Sequence, residues 1–266
     1  MGEISLGQYY PTNSILHRLD PRVKFIGTIV YIVSLFLVSG PAGYLCAALA
    51  LFALVLLSKV PFRFILKSMK PIFFILIVTM LFNLFLTPGE ELAHFLIFRI
   101  TREGLVLALR MGIRLALLVM GSSIMTLTTT PNALTDGMER LFSPLKLIKV
   151  PVHEISMMMS IALRFIPILT EETDKIKKAQ IARGADFDSG GLIKRLKSMI
   201  PLLVPLFVSA FRRANDLAMA MEARCYHGGA GRTQMKPLTY AKKDYCAYLI
   251  TALFLALAII FRVKGW

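Results

Sequence analysis

Charged residues are scarce in this chain, and long stretches lack them altogether. Of its 266 residues only 18% are charged, whereas 56% are hydrophobic. From Phe25 to Ser58 there is no charged residue at all. An ordinary soluble domain carries about 25% charged residues. The shortage of charge therefore indicates an integral membrane protein.

Motifs that would identify an enzyme or a metal site are also missing. The three cysteines show no paired spacing, so they indicate neither a disulfide framework nor a zinc site. No glycine-rich loop ends in Gly-Lys-Ser/Thr, the sequence that cradles phosphates in ATPases. His153-Glu154 begins a metalloprotease-like motif, but Met157 stands where the second zinc-binding histidine belongs. We therefore expect no catalytic residue, no metal and no cofactor bound by this chain itself.

The excess of positive charge is the next feature to explain. Lysine and arginine number 31 against 16 acidic residues, which gives a formal net charge of +15. The basic residues bracket apolar segments and alternate with acids along helical patterns, so they do not indicate nucleic-acid binding. Anionic lipid headgroups explain them more simply. The expected partners therefore include the lipid bilayer and no nucleic acid.

Five uncharged runs are long enough to cross hydrocarbon about 30 Å thick. A turn at Gly40 to Gly43 splits the first long run into two spans. The other three runs are Pro71 to Gly89, Leu115 to Thr135 and Tyr245 to Phe261. The predicted fold class is all-α, a polytopic membrane protein with about five transmembrane helices and long amphipathic helices on the cytoplasmic side. It divides into residues 1–130 with four spans, 131–240 at the cytoplasmic face, and 241–266 with the last span.

The positions of lysine and arginine predict the orientation of these spans. Basic residues precede the first span, the turn after it is uncharged, and a basic loop separates the second span from the third: Arg18, Arg22, Lys24, then Lys59, Arg63, Lys67 and Lys70. The N-terminus and residues 131–240 are therefore expected in the cytoplasm.

Two long amphipathic helices are predicted between the fourth and fifth spans. Apolar residues recur every three or four positions from about Val152 to Ile181 and again from about Leu192 to Arg224. The second pattern contains "MIPLLVPLFVSAF", about 13 uncharged residues, which is too short to cross a bilayer. The methionines on these faces indicate either core packing or an adaptable surface for more than one partner.

Both long patterns end in alanine, arginine and a small residue. The two endings are Ala182-Arg183-Gly184 and Ala223-Arg224-Cys225. A cation at a helix C-terminus gains roughly 0.3 to 1 kcal/mol from the helix dipole, which explains each arginine alone. The small neighbours suggest more, because they would let a helix tip enter a groove where the guanidinium meets a carboxylate. The endings therefore predict contact with another protein.

These endings, the opening "GQYYPTNSILHRLDPRVK" and the layout of the spans resemble the transmembrane T component (EcfT) of energy-coupling factor (ECF) transporters. The resemblance covers nearly the whole chain. It departs at Cys225, where glycine is commoner in the family. It implies a non-catalytic scaffold subunit of an ABC-type vitamin or micronutrient importer in a prokaryotic plasma membrane.

The resemblance also implies partners and their contacts. Two cytoplasmic ATPase subunits would bind the ATP and grip the ends of the two long helices, which would act as coupling helices. Arg183 and Arg224 would each enter a groove on one ATPase subunit and pair with its acidic residues. A membrane-embedded, substrate-binding S component would lie along the apolar helix faces. The candidate residues for that second contact are Met158, Met159, Leu203 and Phe207.

Other functions remain open at this point. A T component dedicated to cobalt or nickel would have the same architecture. A self-contained carrier would need a polar site at mid-membrane, for which only uncharged residues are available: Asn83, Ser122, Ser123 and Thr126. A membrane enzyme would need a cluster of histidines or carboxylates, and His153-Glu154 with His227 makes a thin one.

Overall fold

The computed structural model describes residues 9–38, 40–95, 98–187, 191–229, 235 and 237–264. Its helices are α1 (Pro21–Leu37), α2 (Pro41–Ser58), α3 (Phe62–Met69), α4 (Phe73–Leu86), α5 (Arg102–Thr128), α6 (Pro131–Leu141), α7 (Val152–Ala182), α8 (Leu192–Glu222) and α9 (Lys242–Lys264). A short 3₁₀ helix, Ser143–Ile148, precedes α7. One antiparallel hairpin, β1 (Glu91–Phe95) with β2 (Phe98–Thr101), joins α4 to α5. Apart from that connecting hairpin the architecture is helical, and the predicted all-α membrane fold is confirmed.

The membrane-spanning helices agree with the prediction in number but differ in membership. Within the described ranges, α2, α5, α7 and α9 are long and apolar enough to cross a membrane. The pair α3 and α4 reaches the length of a fifth span only if both are counted together, and a bend of 62° separates them. Helix α1, predicted as a span, has 17 residues and begins with two basic side chains. Helix α7, predicted as a surface helix, qualifies because most of its charges follow Thr170.

The spanning helices of the N-terminal part pack around α5. Helix α4 lies along its first half, Tyr31 of α1 lies against its second half, and α2 and α3 also pack on it. Glycines on α5 make the closest approaches possible. A Cβ atom at Gly104 would lie 2.9 Å from the backbone oxygen of Leu84, and one at Gly112 would lie 2.8 Å from the sulfur of Met80. Small residues at such crossings are what membrane helices need, since lipid supplies no hydrophobic force between them.

A buried polar cluster joins the start of α1 to the start of α9. The carboxylate of Asp20 caps α1 by accepting the backbone N–H of Arg22, and it also accepts two bonds from the Arg22 guanidinium, at 3.0 and 2.7 Å. The backbone N–H of Asp20 donates to the carboxylate of Asp244, 3.0 Å away. The Arg22 guanidinium lies 3.8 Å above the ring of Tyr240. Asp20 and Arg22 thus pair with each other, and the buried carboxylate of Asp244 is satisfied by the backbone N–H groups of Asp20 and Ala241.

The end of α5 belongs to the same polar region. The ammonium of Lys24 donates to the backbone oxygen of Thr128 at 2.8 Å, and the N–H of Tyr10 donates to that of Leu127 at 2.9 Å. Helix α5 therefore ends at the face where α9 begins.

The described chain forms two compact units. Residues 9–137 and 238–264 make up one, which contains α1 to α5 and α9. Residues 138–237 make up the other, which contains α7 and α8. The last spanning helix is therefore part of the N-terminal unit, to which Asp20 and Asp244 bind it.

We expect Asp20→Ala to destabilise the protein by about 3 kcal/mol, because it leaves the Arg22 guanidinium buried without its carboxylate. The apparent midpoint of thermal unfolding in detergent micelles measures this. The matched control is Glu171→Ala, which removes an exposed carboxylate that forms no ion pair among the described residues. Equal effects of the two substitutions would contradict the role given to the cluster.

The same stabilisation should depend on pH. Burial alone would raise the pKa of Asp20, but the hydrogen bonds and charge of Arg22 outweigh it and hold that pKa below its usual value. A carboxyl group with a lowered pKa stabilises the fold above its unfolded-state pKa of about 4, and that contribution is lost as pH falls through the folded-state value. The stability difference between the parent and Asp20→Ala should therefore shrink below about pH 4.

Candidate functional site

Helices α7 and α8 form an antiparallel pair held by polar side chains. The carboxylate of Glu172 on α7 accepts a hydrogen bond from the guanidinium of Arg213 on α8, 2.9 Å away, and another from the hydroxyl of Ser209. About two turns further along α7, the amide of Gln180 donates to the backbone oxygen of Pro201 at 3.3 Å. The contacts run in opposite directions along the two helices, so the end of α7 lies beside the beginning of α8.

The contact of Gln180 has a cause in the sequence of α8. Pro205 has no backbone N–H, so the carbonyl of Pro201 one turn earlier loses its normal helical partner. The amide of Gln180 supplies the missing donor from the neighbouring helix. Pro205 thereby creates a point of attachment for α7 at the carbonyl of Pro201.

The opposite end of the pair is apolar. Ile161 and Phe165 on α7 line a groove of about 290 Å³ together with Leu217 and Met221 on α8. The start of α7 therefore lies beside the end of α8, as antiparallel packing requires.

The arginine tips consequently lie at opposite ends of the helix pair. Arg183 follows Gln180 by one turn and is therefore near the beginning of α8. Arg224 lies at the far end of α8, and a rise of about 1.5 Å per residue from Pro201 puts it about 35 Å further along. The two guanidinium groups thus cannot share one binding groove.

The tip of α7 ends in a Schellman motif. The N–H of Gly184 donates to the carbonyl of Ile181 at 2.9 Å, and the N–H of Ala185 donates to that of Gln180 at 2.9 Å. This pair of bonds defines the motif and satisfies carbonyls that the helix end would leave unpaired. Gly184 adopts the left-handed conformation that the motif demands, with φ of 87°.

The tip of α8 has the same geometry. The N–H of Cys225 donates to the carbonyl of Glu222 at 2.8 Å, and the N–H of Tyr226 donates to that of Met221 at 3.1 Å. Cys225 takes the left-handed position, with φ of 56°. The small residue after each arginine is therefore explained by how the helix stops. Residue types alone do not reveal this cause, and the groove in a partner that the sequence predicts stays a prediction.

All six residues of the two endings are exposed: Ala182, Arg183, Gly184, Ala223, Arg224 and Cys225. In the part of the chain that the structure describes, neither arginine forms an ion pair. Both arginines stand at helix C-termini, whose partial negative charge favours a cation. Both remain available for a carboxylate from outside the chain.

The residues predicted to contact a membrane partner are exposed as well. Their exposed fractions lie between 43% and 61%: Met158, Met159, Leu203 and Phe207. Core packing within this chain is therefore the wrong interpretation for Met158 and Met159. Phe207 lies in a shallow apolar recess with Val204 and Phe211. The geometry leaves these faces uncovered by the described residues of their own chain.

His153 takes part in a small polar cluster that the sequence argument did not find. Its Nδ1 lies 2.9 Å from the carboxylate of Glu139, which also accepts a hydrogen bond from Ser156 at 2.9 Å. Burial opposes ionisation of Glu139, but these two hydrogen bonds outweigh it and lower its pKa. The hydroxyl bonds to the carboxylate and not to the imidazole, so the three groups do not form a nucleophile and base. The cluster joins α6 to the start of α7.

Arg114 on α5 contacts the end of a neighbouring helix. Its guanidinium donates to the backbone oxygen of Val38 at 3.2 Å, at the end of α1. Glu103 accepts the N–H of Glu90 in the connecting hairpin. Arg114 therefore caps a neighbouring helix, where the negative end of the helix dipole favours a cation.

Comparison with known proteins agrees with the predicted resemblance. The profile of the CbiQ family, described as "Cobalt transport protein", matches residues 12–236. The chain is 52% identical over 261 residues to the energy-coupling factor transporter transmembrane protein EcfT of Acidaminococcus fermentans, covering 97% of both chains. It is 45% identical over 266 residues to the EcfT protein of Bacillus subtilis, covering 100% of both.

The chain belongs to the EcfT family of energy-coupling factor transporter transmembrane proteins. It is thus a multi-pass membrane subunit of a transporter, in agreement with its apolar helices. The match to the Clostridium kluyveri EcfT protein, 49% identical over 263 residues, likewise includes both arginine-tipped helices, since it covers 98% of this chain.

In this EcfT-family protein we expect Cys225→Gly to stabilise the last turn of α8 by about 1 kcal/mol. Cysteine in the left-handed region carries a steric cost that glycine does not have. Slower hydrogen exchange of the backbone amides at positions 225 and 226 in the variant than in the parent would measure the effect. Gly184→Ala should do the opposite at the tip of α7. The control is Gly191→Ala, at a position with φ of −69° and no atom within 4 Å of an added Cβ. Faster exchange after Cys225→Gly would contradict this account.

Proposed function

We propose that this chain is the non-catalytic scaffold subunit of an ECF-type ABC importer for a vitamin or micronutrient. In this role it couples ATP hydrolysis by two ATPase subunits to movement of a membrane-embedded S component. The observation that carries the proposal is the pair of exposed arginines, held in the same Schellman geometry at opposite ends of one antiparallel helix pair. Membership of the EcfT family supports it.

The two arginine tips fit two separate sockets of the same kind. A carboxylate in a groove of each ATPase subunit would accept a two-point bond from the guanidinium of Arg183 or Arg224. The local geometry is repeated, so similar grooves can receive both tips. The spacing of about 35 Å along α8 suits two subunits better than one. ATP stays with those partner subunits, and this chain needs no cofactor.

The helix pair provides a mechanical connection between the two tips. Glu172 binds Ser209 and Arg213, and Gln180 binds Pro201, so α7 and α8 are fastened at two levels. Approach of the ATPase subunits on binding ATP would press on both ends of this fastened pair. The pair would respond as a unit because its polar contacts resist sliding.

The exposed apolar faces supply the surface for the S component. Met158 and Met159 on α7, with Leu203 and Phe207 on α8, are uncovered by the described chain. Methionine and phenylalanine side chains are large and adaptable, which suits a partner that tilts during transport. On this proposal the orientation follows the basic loops, so that the N-terminus and the arginine tips are cytoplasmic.

A T component dedicated to cobalt or nickel is the second candidate, and the description of the matching family profile favours it. The curated relatives favour the first candidate, because they match nearly the full chain and are named for the energy-coupling factor transporter. Measuring uptake of radiolabelled vitamins and of cobalt by cells that express the complete complex would decide between them.

We expect charge reversal at both tips, Arg183→Glu with Arg224→Glu, to abolish co-purification of the ATPase subunits while membrane insertion is retained. Replacing one partner of a desolvated charge pair costs roughly 2 to 5 kcal/mol, or about 30-fold to several thousandfold in affinity. Single substitutions to alanine should weaken assembly or uncouple hydrolysis from uptake.

The matched control reverses two exposed cations outside α7 and α8, Lys149→Glu with Lys242→Glu, and changes the net charge equally. It should assemble nearly as the parent does. Normal assembly and transport by the Arg183→Glu/Arg224→Glu protein would show that the arginines only cap their helices.

The thiol of Cys225 offers a direct measure of the second contact. It is exposed and adjoins Arg224. In a Cys46→Ser/Cys246→Ser background, bound ATPase subunits should slow its reaction with a maleimide by tenfold or more. A protein that keeps only the exposed Cys246 serves as control, and its labelling rate should not change. Unchanged labelling of Cys225 in the assembled complex would exclude the proposed socket.

A further inference from the structure

Helix α3 carries a stripe of basic residues that the contacts above do not use. Arg63, Lys67 and Lys70 follow one another at intervals of four and three residues, so they lie on one side of the helix. All three are exposed. Lys59, also exposed, ends α2 in a left-handed conformation three residues before α3 begins. We call these four cations the basic stripe.

The basic stripe has no counter-charge in its own part of the chain. From Pro21 to Gly89 the sequence contains no aspartate and no glutamate. Among the described residues, none of the four cations forms an ion pair. Like charges one helical turn apart repel each other, so the arrangement destabilises an isolated helix. An anion from outside the chain would relieve that repulsion.

The apolar residues on α3 indicate that the anion belongs to a membrane surface. Ile65 is fully buried and anchors the helix to the bundle, whereas Phe62 and Leu66 are 49% and 46% exposed. They share a side of the helix distinct from that of the basic stripe. A helix of eight residues is about 12 Å long, and it meets α4 at a bend of 62°, so α3 does not continue the course of α4. This combination is typical of a helix lying at a membrane interface.

The contacts of α3 identify its face of the bundle. The ring of Phe64 packs on that of Tyr10, with centroids 4.9 Å apart. The N–H of Tyr10 in turn donates to the backbone oxygen of Leu127 near the end of α5. Helix α3 therefore lies at the face where α5 ends and α1 begins.

We propose that α3 is an interfacial helix whose basic stripe binds the phosphate-bearing headgroups of anionic phospholipids, with Phe62 and Leu66 in the adjoining acyl region. A bilayer fits better than an acidic protein, because the cations border exposed apolar side chains that belong to a bundle of membrane helices. The surface is separate from the arginine tips, and it does not depend on how they bind.

Brominated lipids can test the contact directly in the full-length protein. A Phe62→Trp substitution in a Trp266→Phe background places a single tryptophan on α3. The purified protein is reconstituted in vesicles with either brominated phosphatidylglycerol or brominated phosphatidylcholine. Quenching should be stronger with phosphatidylglycerol. Substituting Arg63→Gln, Lys67→Gln and Lys70→Gln should lower this preference by about fivefold for each cation removed.

The matched control replaces three basic residues of α7 with glutamine, Lys175, Lys177 and Lys178, and changes the net charge by the same amount. It should keep the preference for phosphatidylglycerol. Arg63→Lys should keep it too, and single glutamine substitutions give a graded result if the triple variant fails to fold. Equal quenching by both lipids in the parent protein would overturn the proposal, as would an equal loss in the control. Binding of the basic stripe to an acidic protein, with no difference in quenching between the two lipids, would overturn it as well.

Discussion

The buried ion pair of Asp20 with Arg22, together with Asp244, constrains the rest of the molecule. This cluster caps the start of α1 and binds it to the start of α9, so both helices begin at the same face of the bundle. The end of α5 is bound to the same face through Lys24. The segment between Thr128 and Asp244 therefore begins and ends at one face of this unit.

The helix pair within that region depends on a different balance of forces. Prolines in α8 remove backbone donors, and a polar side chain of α7 replaces one of them. The carboxylate of Glu172 joins a hydroxyl and a guanidinium of α8 at a second level. Polar contacts at such an interface hold direction and register, which hydrophobic packing alone leaves adjustable.

The two helix ends show how a local motif and a functional residue can coincide. The Schellman motif requires a left-handed residue directly after each arginine, and this fixes where the guanidinium leaves the helix. The pattern of alanine, arginine and a small residue therefore has two separate causes. Termination explains the small residue, while exposure of the unpaired arginine carries the argument for a partner. Cys225 fulfils the first requirement less well than glycine, and it leaves the second unchanged.

The sequence by itself determined the membrane class, the approximate number of spans, the two long helices and their arginine ends. These depend on composition and on spacing of three or four residues, which are local properties. It did not single out α7 as long and apolar enough to cross a membrane, because the position of charge within a helix decides that property only after the helix limits are known. It attributed the small neighbours of Arg183 and Arg224 to a partner, because a positive φ cannot be read from residue types alone. Only the tertiary structure paired Asp20 with Asp244, Glu172 with Arg213 and Gln180 with Pro201. Those contacts join residues far apart in the chain. Packing in three dimensions selects the partners, and a local sequence pattern does not specify them.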